Sequence, residues 1–201
     1  MGLVMGNGGA CPTIHSTAHP LYEPTPLCHQ GHGPISRRFG LTSHANPIIV
    51  PPMLTGQALI DAARALATDA HAGQTRRGGK PYITHPEAVA ALFVNNFGAD
   101  QDRWIHYHRG VALAWLHDAR EDTWISWGPL REAGLGDLED ELTVLTHGEE
   151  ESYLNYILRI RSYRSNLPLL VKLCDIEHNL SDAPSKQQRT KYEMAQWILQ
   201  S

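Results

Sequence analysis

One histidine and three carboxylates fall within six residues of this chain. The segment His117-Asp118-Ala119-Arg120-Glu121-Asp122 directly follows the apolar run Val111-Ala112-Leu113-Ala114-Trp115-Leu116. At about 3.6 residues per turn, Glu121 falls below His117 and Asp122 below Asp118. Four groups that bind metals or move protons then share one side of a helix whose other side is apolar. Burying such groups is costly unless they are hydrogen-bonded or coordinate a cation. A divalent metal flanked by two catalytic carboxylates meets that requirement; a solvated acidic helix end is the plainer alternative.

Two further positions extend the set. His85 lies in the first turn of a helix opened by Thr84-His85-Pro86-Glu87, a sequence of capping-box form. Asp175 interrupts the apolar stretch Leu169-Leu170-Val171-Lys172-Leu173-Cys174, with Asn179 one turn later. A carboxylate in a core-like segment needs a partner. His85, His117, Asp118 and Asp175 form a mixed nitrogen and oxygen donor set, suited to Mn²⁺, Fe²⁺ or Zn²⁺. The structural alternatives are a His85 that only caps its helix and an Asp175 paired with Lys172 or Arg189. Between His71 and His85 runs a loop rich in glycine and base, Gly73-Gln74-Thr75-Arg76-Arg77-Gly78-Gly79-Lys80-Pro81. Arg76, Arg77 and Lys80 can hold phosphate oxygens there, the arginines in bidentate fashion.

The elements that must position these groups are helical. Leu59, Ala62, Ala63, Leu66 and Ala70 recur at three- and four-residue steps and predict a first helix after Thr55. Further helices are expected over about 85–95, 101–119, 128–133, 137–146 and 150–163. Asn166-Leu167-Pro168 opens the helix that carries Asp175, and Ser185-Lys186-Gln187-Gln188 caps a last one. No alternating strand pattern appears after residue 55, so the fold class is all-α.

The first fifty-two residues are of another kind, rich in Gly, Pro, Ser, Thr and His and without periodicity. They are expected to be a low-order extension, with residues 53–201 as the functional domain and Met53 as a candidate true start. Cys11, His15, His19, Cys28, His29 and His32 lie in the extension, in no spacing that matches a closed four-ligand zinc site. A net charge of −4 argues against a broad nucleic-acid surface, and no apolar run approaches a membrane span. Three cysteines without framework spacing fit a reducing, cytoplasmic setting. Of the remaining histidines, His71 reads as a helix-end or loop residue, and His106, His108 and His178 as surface or packing residues.

The three motifs together resemble a family. The run His71 to Pro86 is similar to the opening motif of the HD-type hydrolase domain of RelA/SpoT enzymes and of the stand-alone small alarmone hydrolases. Leu116-His117-Asp118 with Glu121-Asp122-Thr123 resembles their second motif, and Val171-Lys172-Leu173-Cys174-Asp175 with Asn179 their third. The resemblance spans residues 55–200. It implies a helical HD bundle with a metal site between helices, and Mn²⁺ held by His85, His117, Asp118 and Asp175. It also implies removal of the 3′-pyrophosphate from (p)ppGpp. Glu121 and Asp122 match the pair that orients or deprotonates water, while Arg76, Arg77 and Asn179 match substrate contacts. The chain departs from the family at Gly78-Gly79, Ile176-Glu177 and Leu180-Ser181-Asp182, positions around the nucleotide rather than the metal. A broader group of HD phosphohydrolases acting on other nucleotides, and a catalytically weak nucleotide-binding or antitoxin-like module, are the alternatives. Self-association is left open.

Overall fold

Apolar residues spaced for helices do form helices, and the breaks between them fall where side chains compete for the backbone. The computed structural model describes residues 53–98 and 106–201, which lie within one compact unit, Asn46–Ser201. Expectations for residues 1–52, including the Cys/His-rich segment, lie outside the described residues. The helices are α1 (Gly56–Ala70), α2 (Thr84–Phe97), α3 (Tyr107–Leu116), α4 (Ala119–Asp122) and α5 (Trp127–Glu132). After a 3₁₀ turn at Gly136–Leu138 come α6 (Glu139–Leu145), α7 (Tyr153–Ser162), α8 (Leu167–Ser181) and α9 (Lys186–Gln200). Among the described residues there is no strand, only an isolated bridge between Thr75 and Pro81. The all-α reading holds.

Two local expectations need correction. The third helix does not run through His117: α3 ends at Leu116, His117 and Asp118 form a turn, and α4 restarts at Ala119. His117 Nδ1 donates to the Ala114 carbonyl at 2.8 Å, competing for an acceptor of the helix ladder. Thr84 does not cap α2 either. The Pro81–Ile83 turn already supplies acceptors for the first amides of that helix, Thr84 N to Pro81 O and His85 N to Tyr82 O, and the Thr84 hydroxyl donates to Pro81 O at 2.8 Å. The capping box at Ser185 is present as expected, with Gln188 as its reciprocal partner.

Two apolar clusters flank the site. One gathers α1, α2 and α3 around Ala63, Val89, Phe93, Leu113 and Leu116. The other joins α7 and α9 through Ile157, Ile160, Ala195 and Leu199. Helix α8 belongs to both, giving Val171 and Cys174 to the first and Ile176 to the second. Asp175 sits between those contributions. Gly110 fixes how closely α3 meets α2, because a Cβ there would lie 2.2 Å from the Phe93 ring. The ends of those two helices carry His117 and His85.

Candidate metal centre

His85 comes from the first turn of α2, His117 and Asp118 from the turn after α3, and Asp175 from the middle of α8. Their donor atoms converge. His85 Nε2 lies 3.2 Å from His117 Nε2, 3.2 Å from Asp118 Oδ2 and 3.1 Å from Asp175 Oδ1. His117 Nε2 lies 3.1 Å from Asp118 Oδ1 and 3.7 Å from Asp175 Oδ1. Ligand atoms of His85, His117 and Asp118, one from each, lie mutually within 4.8 Å.

The donor chemistry fits a cation. His117 Nδ1 is committed to the Ala114 carbonyl, so in the neutral ring Nε2 carries a lone pair. That lone pair faces a second imidazole nitrogen and two carboxylates. Donor atoms bonded at about 2.1 Å to one small cation, at right angles, lie about 3 Å apart. The separations observed are of that size. Burial pushes the His117 ring down, but Asp118 and Asp175 overcome it and raise it to about 10. Burial pushes Asp118 and Asp175 up, yet both end well below the ordinary carboxylate range, Asp118 because of His117 and Asp175 because of Lys172 and the two histidines. The cluster demands positive charge at one point, and either a proton or a metal supplies it.

The structural alternative for Asp175 is realised as well. Lys172 Nζ lies 2.7 Å from Asp175 Oδ2, and Asn179 Nδ2 donates to Oδ1 at 2.6 Å. These contacts leave Asp175 Oδ1 facing the histidines, so pairing and coordination are compatible.

Glu121 and Asp122 lie beside this cluster on the wall of one cleft of about 680 Å³ that also reaches Arg76, Arg77, Asn179 and Asp182. The His147 backbone amide donates to Glu121 Oε1, and burial raises the Glu121 carboxyl above its ordinary value. Asp122 Oδ2 lies 2.6 Å from the Tyr82 hydroxyl. The arginine loop turns on Gly78 and Gly79, both at positive φ that favours glycine, with Arg76 N bonded to Lys80 O at 2.8 Å. Arg76 is engaged at the mouth, 3.0 Å from Asp182 Oδ2 and 3.3 Å from Asn179 Oδ1. Arg77 donates to Gln188 at 3.2 Å. Lys80 does not line this cleft; it borders a smaller cavity of about 280 Å³ shared with Arg76, Arg77 and His178.

Four residues matter more than their sequence context suggests. His178, expected at the surface or in packing, places Nδ1 2.7 Å from His85 Nδ1. His71, expected at a helix end or in a loop, does cap the C-terminus of α1, but it is 2 % exposed and stacks on Tyr82. The Tyr82 hydroxyl and the His147 backbone amide contact the carboxylates directly. Tyr82 stands three residues before His85, a closeness that could have drawn attention to it.

Comparison with known proteins finds relatives named for (p)ppGpp chemistry. A guanosine-3′,5′-bis(diphosphate) 3′-pyrophosphohydrolase of Haemophilus influenzae is 33 % identical over 144 residues, 64 % of this chain and 20 % of that protein. The bifunctional (p)ppGpp synthase/hydrolase SpoT of Escherichia coli is 30 % identical over 146 residues, 65 % of this chain and 19 % of SpoT. This chain is a homologue of the RelA/SpoT-type proteins. A probable GTP pyrophosphokinase of Mycobacterium leprae, 31 % identical over 70 % of this chain and 18 % of its own length, bears a name for the opposite activity. The chain thus spans about a fifth of the length of the curated relatives it matches. No family model matches the chain. No helix among the described residues is long and apolar enough to cross a membrane.

Proposed function

We propose that residues 53–201 form a metal-dependent hydrolase that removes the 3′-pyrophosphate from (p)ppGpp. The observation that carries this reading is the convergence of His85, His117, Asp118 and Asp175 on one point, beside Glu121 and Asp122, in a relative of named 3′-pyrophosphohydrolases. These four residues would hold the metal, with Mn²⁺ the ion that the resemblance favours and Zn²⁺ or Fe²⁺ also suited to the donors. A divalent cation there neutralises phosphate charge and makes water a better nucleophile.

The chain's own residues divide the remaining work. Glu121, raised by burial and oriented by the His147 amide, takes the proton from the attacking water. Asp122, held by Tyr82, orients that water. Arg76 and Arg77 reach the substrate phosphates from the loop, and Asn179 steadies both Asp175 and Arg76. Lys80, beside the smaller cavity, contributes charge at its rim.

The Arg76–Asp182 pair favours a second reading within the same chemistry. A carboxylate that occupies the arginine weakens its hold on a highly charged substrate, so another nucleotide would be the preferred one. Purified protein with Mn²⁺, assayed against ppGpp, pppGpp and a nucleotide panel, separates the two. Turnover of another nucleotide with ppGpp untouched overturns the alarmone reading. We also infer that residues 1–52 are dispensable. A chain starting at Met53 should show the same helicity by circular dichroism, and the same metal content and turnover; loss of any of these makes the segment structural.

A further inference from the structure

Asp122 is gripped at two points, and both grips lead to one buried imidazole. The Tyr82 hydroxyl lies 2.6 Å from Asp122 Oδ2 and 2.9 Å from Asp118 Oδ2. Gln74 Nε2 donates to the Asp122 backbone carbonyl at 2.8 Å. With its amide nitrogen so committed, Gln74 turns Oε1 toward His71 Nδ1, 2.8 Å away, and accepts from it. His71 in turn lies flat against the Tyr82 ring, centroids 4.6 Å apart and planes 17° apart. The path from His71 to Gln74, Asp122, Tyr82 and back to His71 is closed.

The phenol has one hydrogen and two carboxylate neighbours, so it serves one of them at a time. The shorter contact is to Asp122, and a cation drawing charge from Asp118 would favour the same choice. Gln74 and Tyr82 also bracket the loop that carries Arg76 and Arg77, tied by Tyr82 N to Gln74 O at 2.9 Å. One segment therefore places the phosphate-binding side chains and the support of the water-orienting carboxylate.

We propose that Tyr82, braced by His71 and Gln74, is a positioning residue that joins the metal-ligand candidate Asp118 to Asp122 and fixes the orientation of both. This rests on the metal-dependent hydrolase reading, but its test does not depend on the substrate. Tyr82→Phe removes one oxygen and keeps the ring against His71. Titration of the full chain with Mn²⁺ should show affinity about tenfold weaker than wild type, as for loss of an outer partner of a metal ligand. With a turned-over nucleotide, kcat should fall about ten- to a hundredfold with KM little changed. In the Asp122→Asn background and at saturating Mn²⁺, adding Tyr82→Phe should cost little further kcat, because the two act as a unit. Gln74→Met, which frees the Asp122 carbonyl and His71 Nδ1 but leaves the Tyr82 hydroxyl on Asp118, should lower kcat and leave Mn²⁺ affinity unchanged. Unaltered Mn²⁺ affinity in a folded Tyr82→Phe protein overturns the proposal, as do kcat losses that multiply in the double variant. Should wild type turn over no nucleotide, the hydrolase reading fails and the Mn²⁺ titration alone decides the role of Tyr82.

Discussion

At the inner end of the cleft, His85, His117 and Asp175 are 2–3 % exposed, and their remaining polar atoms are already held. His117 is fixed by Ala114, His85 by His178, and Asp175 by Lys172 and Asn179. At the mouth, Asp182 is nearly half exposed, and Arg76 and Arg77 are tied to it and to Gln188 by contacts that a substrate can exchange. The inner end is set before any ligand arrives, since its helices pack against two apolar clusters. The mouth is built from a glycine turn and two helix ends. Chemistry that needs fixed geometry sits on the rigid part, and recognition sits on the adjustable part.

The largest effects should come from breaking the inner end. His117→Ala and Asp175→Ala should each lose stoichiometric metal, measured by elemental analysis, and all detectable turnover with it. Retention of one ion per chain by both variants would sink the ligand assignment. The same centre predicts a proton count. With His117 raised to about 10 by its carboxylates, the metal-free ring is charged at pH 8. Metal must displace that proton, so affinity rises with pH until about 10, and binding at pH 8 releases close to one proton. Calorimetry in buffers of different ionisation enthalpy reads this directly; zero release contradicts it.

Next in size is the carboxylate pair. Glu121→Gln should lower kcat by about two to four orders of magnitude with metal content unchanged. Because burial raises Glu121, the acid limb of the wild-type pH–rate profile should lie above the value of an exposed glutamate, with activity lost as pH falls through it. Asp122→Asn should fall in the same range, toward its lower end if Asp122 orients water rather than accepting its proton. Near-normal turnover in both would reduce the pair to a polar helix end.

The inner geometry also depends on a packing contact remote from it. Gly110→Ala forces a methyl into the Phe93 ring at 2.2 Å, so the buried ring or the α2–α3 contact must shift. Overpacking of this kind costs about 1–3 kcal/mol. A thermal or denaturant melt should show that loss, and Mn²⁺ affinity should weaken with it because His85 and His117 ride on those helices. Full stability would mean that the contact yields without cost and does not set the α2–α3 distance.

The same contrast explains what could be read from the sequence. Helix positions and the four inner donors were legible, because apolar periodicity and isolated polar residues within it are local signals. The break at His117 was not, since it arises when one imidazole takes a carbonyl from its own helix. Tyr82, His71 and His178 act through contacts between segments that only the fold brings together, as His178 does across 93 residues to His85. Lys80 shows the converse: a basic residue in the right loop, turned by Gly78 and Gly79 toward the neighbouring cavity.

The smallest effects belong to the mouth, and they sharpen the contrast most. Arg76→Ala removes a charge-assisted contact worth about 1.5–3 kcal/mol, so KM for ppGpp should rise by about ten- to a hundredfold with kcat little changed. Asp182→Thr acts in the other direction. It frees Arg76 from a partner 3.0 Å away and removes a negative charge from the path of the phosphates. Because the pair is partly exposed, the gain is modest, at most about 1 kcal/mol, and KM should fall by up to about fivefold. The two causes separate in the Arg76→Ala background. If Asp182 acts only by occupying the arginine, Asp182→Thr changes nothing there; if it repels phosphate directly, KM still falls. A rise in KM on Asp182→Thr alone would show instead that the carboxylate holds Arg76 in its binding pose, and the mouth would then be as preset as the metal centre.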